Sequence, residues 1–308
     1  MKKANRAAIC DALLERAKTD SDLVIVVSDS RGSASLTPFA KTYPERTVEV
    51  GIAEQNLVGI AAGMASVGKK PFVASPASFL TMRAIEQIKV DVAYSNVNVK
   101  LIGISAGVSY GALGMSHHSL QDLAVLSAIP NIRILVPADF IETKKMMEQI
   151  MEDTIPTYIR VGRNPIEQVH ENEDFDLKIG KAITLRKGND ATIIATGEMV
   201  KTACDTSDLL KEKGIDVRVL DLHTIKPLDE ESIIQAAKET GKIVTLEEHN
   251  VTNGLGTMVT KVVCEHAVCP VKVLGLPDES LITGESAELF EYYGLVPDKI
   301  VPVIEEML

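Results

Sequence analysis

The sequence contains no tryptophan, and aromatic residues make up only 4% of its 308 residues. Its core must therefore be built mainly from Val, Ile, Leu, Ala and Met. No window approaches the run of about 18 apolar residues that a transmembrane helix needs, which argues against a membrane protein. The four cysteines are scattered along the chain, at positions 10, 204, 264 and 269. Scattered cysteines suit a reducing compartment, so we expect a cytoplasmic protein.

Positive charge is also scarce. The formal net charge is -11, and no cluster of basic residues provides the surface that a phosphate backbone requires. We therefore expect no nucleic-acid partner. The N-terminus begins with lysines, but Asp11, Glu15 and Arg16 interrupt the apolar residues that follow. This stretch is typical of an amphipathic helix rather than of a signal peptide.

Several site motifs are missing as well. Neither GxxxxGK[ST] nor GxGxxG after a strand occurs, so nothing indicates nucleotide binding by those routes. The segment CEHAVC (264–269) resembles a metal motif, but it offers only three ligands at irregular spacing. We interpret it as core packing and predict no metal site in this chain.

The pattern that is present alternates β-branched apolar runs with amphipathic segments of helical period. Such alternation predicts an α/β fold, with parallel sheets covered by helices on both faces. The length suits two domains of about 150 residues each, and polar residues interrupt the pattern at 164–180. We therefore predict two doubly wound, mainly parallel-sheet domains, at 1–165 and 181–308, joined by a linker at 166–180. Strands are expected at 23–30, 47–50, 70–75, 99–107 and 132–137 in the first domain, with one helix over 78–96.

Glu54 is the most unusual residue of the first half. It lies where the strand at 47–50 gives way to a helix whose apolar stripe (Leu57 to Ala65) predicts burial on most sides. A buried, unpaired carboxylate costs several kcal/mol, so Glu54 must either keep a proton or have a specific partner. The simpler alternative is an acid that merely stabilises the positive end of the helix.

Two loops are candidates for function because they follow strands of the predicted sheet. Asp29, Ser30 and Ser33 follow the first strand, although such residues also form ordinary loops. The loop 109–122 contains several glycines and the adjacent residues His117 and His118. Each histidine could donate a proton, bind an oxyanion, or simply lie on the surface.

Five segments together resemble one family. GIAEQN, SFLTMRAIEQI, GALGMSHHSLQDLAVLSAIPNIRILVPAD, YIRVGRNP and LEEHNVTNGLG follow one another as in the C-terminal half of the transketolase superfamily of thiamine diphosphate enzymes. The resemblance covers nearly the whole chain. It implies a pyrimidine-binding domain followed by a transketolase C-terminal domain.

The resemblance also implies roles for individual residues. Glu54 would hydrogen-bond a ring nitrogen of the cofactor's aminopyrimidine, which requires a carboxyl group that shares a proton near neutral pH. Phe79 would pack against the pyrimidine, with a core phenylalanine as the simpler alternative. Met82 stands where a second aromatic residue is common, and Asp29 matches an aspartate on the cofactor or substrate side.

On the substrate side, His117 matches a histidine that contacts substrate oxygens. Arg163 and Arg6 match arginines that grip a substrate phosphate, a role suited to a guanidinium group. Ser30 is also assigned to substrate.

Two departures weaken the expectation of ordinary pentose-phosphate specificity. Leu113 replaces an aspartate of the family, and Ala106 replaces a histidine; both of the lost groups contact sugar hydroxyls.

The family's diphosphate-binding half, with GDG followed by an Asn, is absent from this sequence. The resemblance therefore implies a C-terminal subunit of a split transketolase, inactive alone. Thiamine diphosphate and Mg²⁺ would be held together with an N-terminal subunit, in an α2β2 assembly acting on phosphosugars.

Other interpretations remain open. They are a deoxyxylulose-phosphate synthase-like enzyme, the beta subunit of a 2-oxo-acid dehydrogenase, and a non-catalytic scaffold or regulator. Arg163 and Arg6 favour a phosphorylated substrate over a 2-oxo acid. A buried Glu54 has no purpose in a scaffold.

Overall fold

The computed structural model of the protein describes residues 2–308, which form two β-sheets flanked by helices. The strands are β1 (Leu23–Val27), β2 (Thr47–Glu49), β3 (Lys70–Pro76), β4 (Lys100–Ile104), β5 (Arg133–Leu135), β6 (Thr157–Arg160), β7 (Ile183–Arg186), β8 (Ala191–Ala195), β9 (Val217–Asp221), β10 (Thr224–Lys226), β11 (Ile243–Asn250) and β12 (Val271–Leu276). No helix of these residues has both the length and the apolarity needed to cross a membrane.

Twelve α-helices accompany the strands of the described residues. They are α1 (Asn5–Ala17), α2 (Thr37–Thr42), α3 (Glu54–Ser66), α4 (Ala77–Arg83), α5 (Ile85–Gln87), α6 (Asp122–Ser127), α7 (Phe140–Ile150), α8 (Met199–Glu212), α9 (Glu230–Thr240), α10 (Leu255–His266), α11 (Ser286–Tyr292) and α12 (Pro297–Met307). A π-helical segment (Ile88–Tyr94) and two 3-10 turns (Pro44–Arg46 and Gly111–Leu113) complete the set.

The first sheet has seven strands in the order β10-β5-β6-β4-β3-β1-β2. All pairs are parallel except β10 with β5. The strands β1 and β4 are buried along their whole length, as expected for strands covered on both faces. Apolar residues of α1, α2 and α7 form the core on one face, and those of α3, the π-helical segment and α6 form it on the other.

The second sheet has five strands in the order β12-β11-β8-β9-β7, with only β7 antiparallel to its neighbour. The predicted fold class, two doubly wound and mainly parallel sheets, is therefore confirmed. Residues 161–180 contain no helix or named strand. Strand β10 comes from the second half of the chain but completes the first sheet, a connection that the sequence did not indicate.

The single helix predicted over 78–96 is wrong. The chain leaves helical geometry at Ala84 (φ -108°, ψ 21°) and winds as a π-helix from Ile88. The fully buried residues recur every four positions at Leu80, Ala84, Ile88 and Val92. In an α-helix, which has 3.6 residues per turn, residues spaced four apart shift progressively around the helix axis and away from the core. The π-helix has more residues per turn, so Ile88 and Val92 both face inward.

Helix α3 is also less buried than predicted. One side, with Leu57, Val58 and Ala61, lies in the core, whereas Gln55 and Asn56 are exposed. The core-packing interpretation of CEHAVC is wrong for Cys264, which is exposed on α10, but Cys269 is half-buried and packs against the core.

Candidate functional site

A cavity of about 220 Å³ lies at the carboxyl end of the first sheet. Parallel strands end together at this edge, so loops that are distant in sequence meet there. The cavity is lined by Ser28, Asp29, Ser30, Ser33, Ile52, Glu54, Pro76, Phe79, Tyr110, Leu113 and His117. The structure therefore brings together most of the site residues predicted from the sequence.

Glu54 begins helix α3 and is only 4% exposed. Its carboxylate has a partner that sequence reasoning missed, because Arg83 Nη1 donates hydrogen bonds of 3.1 and 3.2 Å to both oxygens. The side chain of Arg83 is itself 49% exposed. Glu54 is thus held as an ion pair whose second member reaches solvent, and its contact with a cofactor group stays a prediction.

Phe79, on α4, is at the centre of a cluster of planar groups. The guanidinium carbon of Arg83 lies 4.1 Å from the centroid of the Phe79 ring. The rings of Phe79 and His117 meet edge to face at 5.0 Å, and those of Tyr110 and His117 at 5.7 Å. Met82, predicted to contact the cofactor, is 42% exposed and does not line the cavity.

The loop after β4 carries both histidines. His117 is half-buried, and its Nδ1 is 3.0 Å from Ser116 Oγ. His118 is buried with Nε2 3.1 Å from the carbonyl oxygen of Gly111. Burial lowers the pKa of His118. His117 therefore faces the cavity, whereas His118 packs within the loop.

The loop after β1 forms another wall of the cavity. Asp29 adopts a left-handed conformation (φ 50°), and Glu49 Oε1 accepts its backbone N–H at 2.7 Å. The buried Ser30 donates its hydroxyl proton to the carbonyl oxygen of Ala74 at 3.1 Å. Asp29 thus presents an exposed carboxylate, while the Ser30 hydroxyl can still act as an acceptor.

Arg6 and Arg163 meet beside the cavity. Arg6 donates from Nε to the carbonyl oxygen of Arg163 at 3.0 Å, and from Nη1 to that of Ser33. The guanidinium of Arg163 lies 4.9 Å from the Tyr110 ring centroid. Burial and the nearby charge of Arg163 lower the pKa of Arg6. Within residues 2–308 neither arginine has a carboxylate partner, so their positive charge is available to an anion.

The two substituted positions differ in location. Leu113 lines the cavity and is 54% exposed. Ala106 is buried and does not line the cavity. Only Leu113 therefore alters the surface that a ligand would meet here.

Sequence reasoning missed Tyr110, Ile52, Pro76 and Ser28 among the lining residues, as well as Arg83. Tyr110 lies in the glycine-containing loop 109–122, and its position in this candidate loop is the sequence signal that could have identified it. Nothing in the spacing of Arg83 from Glu54 points to their contact, because the two helices meet only in the folded chain.

Two family models match the chain. The model described as "Transketolase, pyrimidine binding domain" matches residues 1–168, more than half of the chain. The chain belongs to the transketolase family. The model described as "Transketolase, C-terminal domain" matches residues 180–300 of this transketolase-family chain.

Individual relatives agree with this assignment. The chain is 50% identical over 292 residues to a protein of Phocaeicola vulgatus that is named as one subunit of an apulose-4-phosphate transketolase, covering 95% of this chain and 93% of the relative. It is 36% identical to a protein of Clostridium sp. that is named as a subunit of a 6-deoxy-6-sulfo-D-fructose transketolase, covering 98% of this chain and 94% of the relative.

A solved structure titled "Split gene transketolase, inactive beta4 tetramer" matches the transketolase-family chain at 35% identity with a TM-score of 0.89. The match covers 100% of this chain and 99% of the other. Together these matches support a subunit of a split transketolase.

Proposed function

We propose that the chain is the C-terminal subunit of a two-chain, thiamine diphosphate-dependent transketolase that transfers a two-carbon ketol unit between phosphosugars. The observation that carries the proposal is the single cavity that gathers Glu54, Phe79 and His117 beside two unpaired arginines. A separate N-terminal subunit would hold the diphosphate of the cofactor through Mg²⁺, and two copies of each chain would assemble.

The contacts of Arg83 with Glu54 and Phe79, beside the cavity, support an aminopyrimidine as the ligand of these two residues. Its guanidinium is planar, donates to both oxygens of Glu54 and lies against the Phe79 ring. An aminopyrimidine is also planar and can donate to a carboxyl group while packing against an aromatic ring. Because Arg83 is half exposed, its displacement by such a ring removes a weak ion pair.

The residues of this chain would divide the work. When bound, thiamine diphosphate supplies the carbon nucleophile that adds to a ketose carbonyl. Glu54 would share a proton with a ring nitrogen of the aminopyrimidine, and Phe79 would fix the plane of that ring. Asp29 would lie on the cofactor side of the cavity. Met82 is left outside the proposed site because it does not line the cavity.

The same cavity offers groups for a phosphorylated sugar. His117 would donate a hydrogen bond to a substrate oxygen, and Ser30 would contribute an acceptor. Arg6 and Arg163 would hold the phosphate, since one guanidinium group can donate two parallel hydrogen bonds to two phosphate oxygens. The name of the 50%-identical relative supports a phosphorylated ketose as substrate. Leu113 removes one polar contact of the ordinary pentose-phosphate enzymes.

Dependence on a partner chain has two supports. The 50%-identical relative, of which the match covers 93%, is named as one subunit of a transketolase. In addition, exposed apolar residues flank α3 and end the π-helical segment, notably Ile52, Val67 and Tyr94, at 75%, 79% and 82% exposure. A partner chain would cover them.

The first test is reconstitution with the candidate N-terminal subunit. We expect thiamine diphosphate-dependent ketol transfer only from the mixture of the two chains. Transfer by this chain alone would overturn the split-subunit proposal. A mixture that assembles and binds the cofactor but transfers nothing between any phosphosugars would instead favour a non-catalytic role.

The second test is Glu54→Gln in the assembled enzyme. Loss of the shared proton should lower kcat on the order of 10²- to 10⁴-fold, the usual contribution of a positioned acid or base. Glu86→Gln makes the same chemical change at an exposed position and should leave kcat unchanged. Near-normal turnover of Glu54→Gln would remove the proposed role of this residue.

A further inference from the structure

Three buried residues meet far from the cavity, at the junction of the two halves of the chain. They are Glu142 in the first turn of α7, His170 in the segment 161–180, and Asp221 at the end of β9. One candidate ligand atom from each lies within 4.8 Å of the others. None of them belongs to the proposed catalytic machinery.

Four polar atoms of this cluster receive no hydrogen bond from an N–H or hydroxyl group, namely Glu142 Oε1, His170 Nε2 and both carboxylate oxygens of Asp221. With one of the two carboxyl groups protonated, Glu142 and Asp221 can hydrogen-bond each other. Glu142 and Asp221 are 0% exposed, and His170 is 7% exposed. Buried polar atoms are rarely left unsatisfied, because each costs about 1–3 kcal/mol. Four such atoms in one place are satisfied either by a bound cation or by a proton shared between the two acids.

The charges of the cluster suit a bound cation. Within residues 2–308 no lysine or arginine forms an ion pair with Glu142 or Asp221. A cation bound between the two acids would let both stay ionised in the dry interior.

We propose that Glu142, His170 and Asp221 bind a divalent transition-metal ion, with Zn²⁺ preferred, as a structural site that joins the two halves of the chain. One oxygen from each carboxylate and one imidazole nitrogen provide three donor atoms, and a water molecule would complete the four-coordinate geometry that Zn²⁺ prefers. Two carboxylates and a neutral imidazole also neutralise the charge of the ion. Imidazole favours Zn²⁺ over Mg²⁺ or Ca²⁺, which prefer oxygen ligands alone.

The surroundings hold the three ligands in place. Asp139 accepts the backbone N–H of Glu142 at 2.8 Å and that of His170 at 2.8 Å. The second oxygen of Glu142 accepts the N–H of Ala138. The His170 ring stacks on Phe175 at 3.8 Å with an interplanar angle of 6°. Such outer contacts fix ligand orientation in metal sites, so little rearrangement is needed to bind an ion.

The test uses the full chain with a tag that contains no histidine. After dialysis against a chelator, Zn²⁺, Mn²⁺ or Mg²⁺ is returned, and bound metal is measured by mass spectrometry together with thermal unfolding. We expect one equivalent of Zn²⁺ per chain and weak retention of Mg²⁺. Free Zn²⁺ at 100 times its dissociation constant should raise the folding equilibrium constant about 100-fold.

The decisive variants separate this site from the surface thiols. Asp221→Asn should weaken Zn²⁺ binding by more than the roughly 10- to 100-fold that loss of an outer contact causes. The matched control, Cys264→Ser with Cys269→Ser, removes the other plausible zinc ligands and should keep the stoichiometry. The proposal is overturned if Zn²⁺ is lost in the cysteine variant and retained in Asp221→Asn.

It is equally overturned if chelator-treated wild-type chain neither takes up Zn²⁺ nor changes its melting temperature. Glu142 and Asp221 would then share a proton instead of an ion. Because this second comparison uses the wild-type chain only, it decides the matter even if Asp221→Asn fails to fold.

Discussion

The ion pair between Glu54 and Arg83 joins a residue that is almost fully buried to one that is half exposed. Its strength is therefore modest, because water screens the guanidinium. Glu54 nevertheless gains a counter-charge that can be removed by a simple movement of one side chain. Arg83 thus covers the carboxylate of Glu54 and one side of the Phe79 ring.

Replacing Arg83 should strengthen binding of the cofactor. Because Arg83→Met removes the group that competes for Glu54 and Phe79, we expect thiamine diphosphate to bind the assembled enzyme several-fold more tightly. Calorimetric titration of the assembled enzyme measures this. Arg83→Lys keeps the positive charge but loses the planar guanidinium group, so its affinity for thiamine diphosphate should lie between those of the wild type and Arg83→Met. Weaker binding by Arg83→Met would mean that Arg83 helps to hold the cofactor.

The sequence predicted that a buried Glu54 either keeps a proton or has a specific partner, and the family resemblance assigned that partner to a cofactor. It did not predict Arg83, because α3 and α4 are brought together by packing rather than by spacing. The convergence of Glu142, His170 and Asp221 was invisible for the same reason. Long intervals of unremarkable sequence separate the three residues, and no metal motif has that pattern.

At the scale of elements, the loop after β4 is fastened by the second half of the chain. Glu248, on β11, accepts the backbone N–H of Val108 at 2.7 Å. Gly107 adopts a left-handed conformation (φ 60°), and a Cβ at this position would overlap the Glu248 carboxyl group. The loop that carries Tyr110 and His117 is thus positioned by a side chain of β11.

Gly107→Ala should disturb this attachment. The left-handed backbone alone costs about 1–2 kcal/mol with alanine, and displacement of Glu248 adds about 1–3 kcal/mol of strain. Gly241→Ala is the matched control, since Gly241 has a similar φ of 65° but no atom near its Cβ position. Urea unfolding should therefore show a larger decrease in the free energy of unfolding for Gly107→Ala than for Gly241→Ala. Equal losses would show that the contact with Glu248 contributes nothing.

Elements with strong periodicity were predicted well, including the buried strands β1, β3 and β4. The errors fell where distant contacts override local pattern. Strand β10 has only three residues and exists because β5 offers it an edge. The helix over 78–96 was predicted from apolar residues at spacings of three and four, whereas the fully buried residues from Leu80 to Val92 recur every four positions and fit a wider winding.

For the whole molecule, two acids at the junction of the two halves, the half-buried Glu198 and the buried Glu248, link stability to pH. Burial raises the pKa of Glu198 to about 8 and that of Glu248 to about 7. Arg160 lies close to both and opposes this rise in each. A raised carboxyl pKa means that the folded chain binds protons that the unfolded chain has released.

The free energy of unfolding should therefore fall as pH rises from 6.5 through 8. Buried His249, whose pKa is lowered to about 4, acts in the opposite direction only below this range. Glu198→Gln should flatten the decline, whereas Glu212→Gln, an exposed change on the same helix, should not. Urea unfolding at pH 6.5, 7.5 and 8.5 measures the slopes; a Glu198→Gln slope like that of the wild type would contradict this account.

Strand β10 has a further consequence for synthesis of the chain. The first sheet lacks its outer strand β10 until the ribosome has synthesised Thr224–Lys226, which happens well after it has completed β6 at Arg160. At 5–20 residues per second this interval is roughly 3 to 13 s. During that time β5 presents an open edge to other chains, which is a route to aggregation. Slow translation between β6 and β10 should therefore reduce the yield of soluble protein more than the same delay after β10.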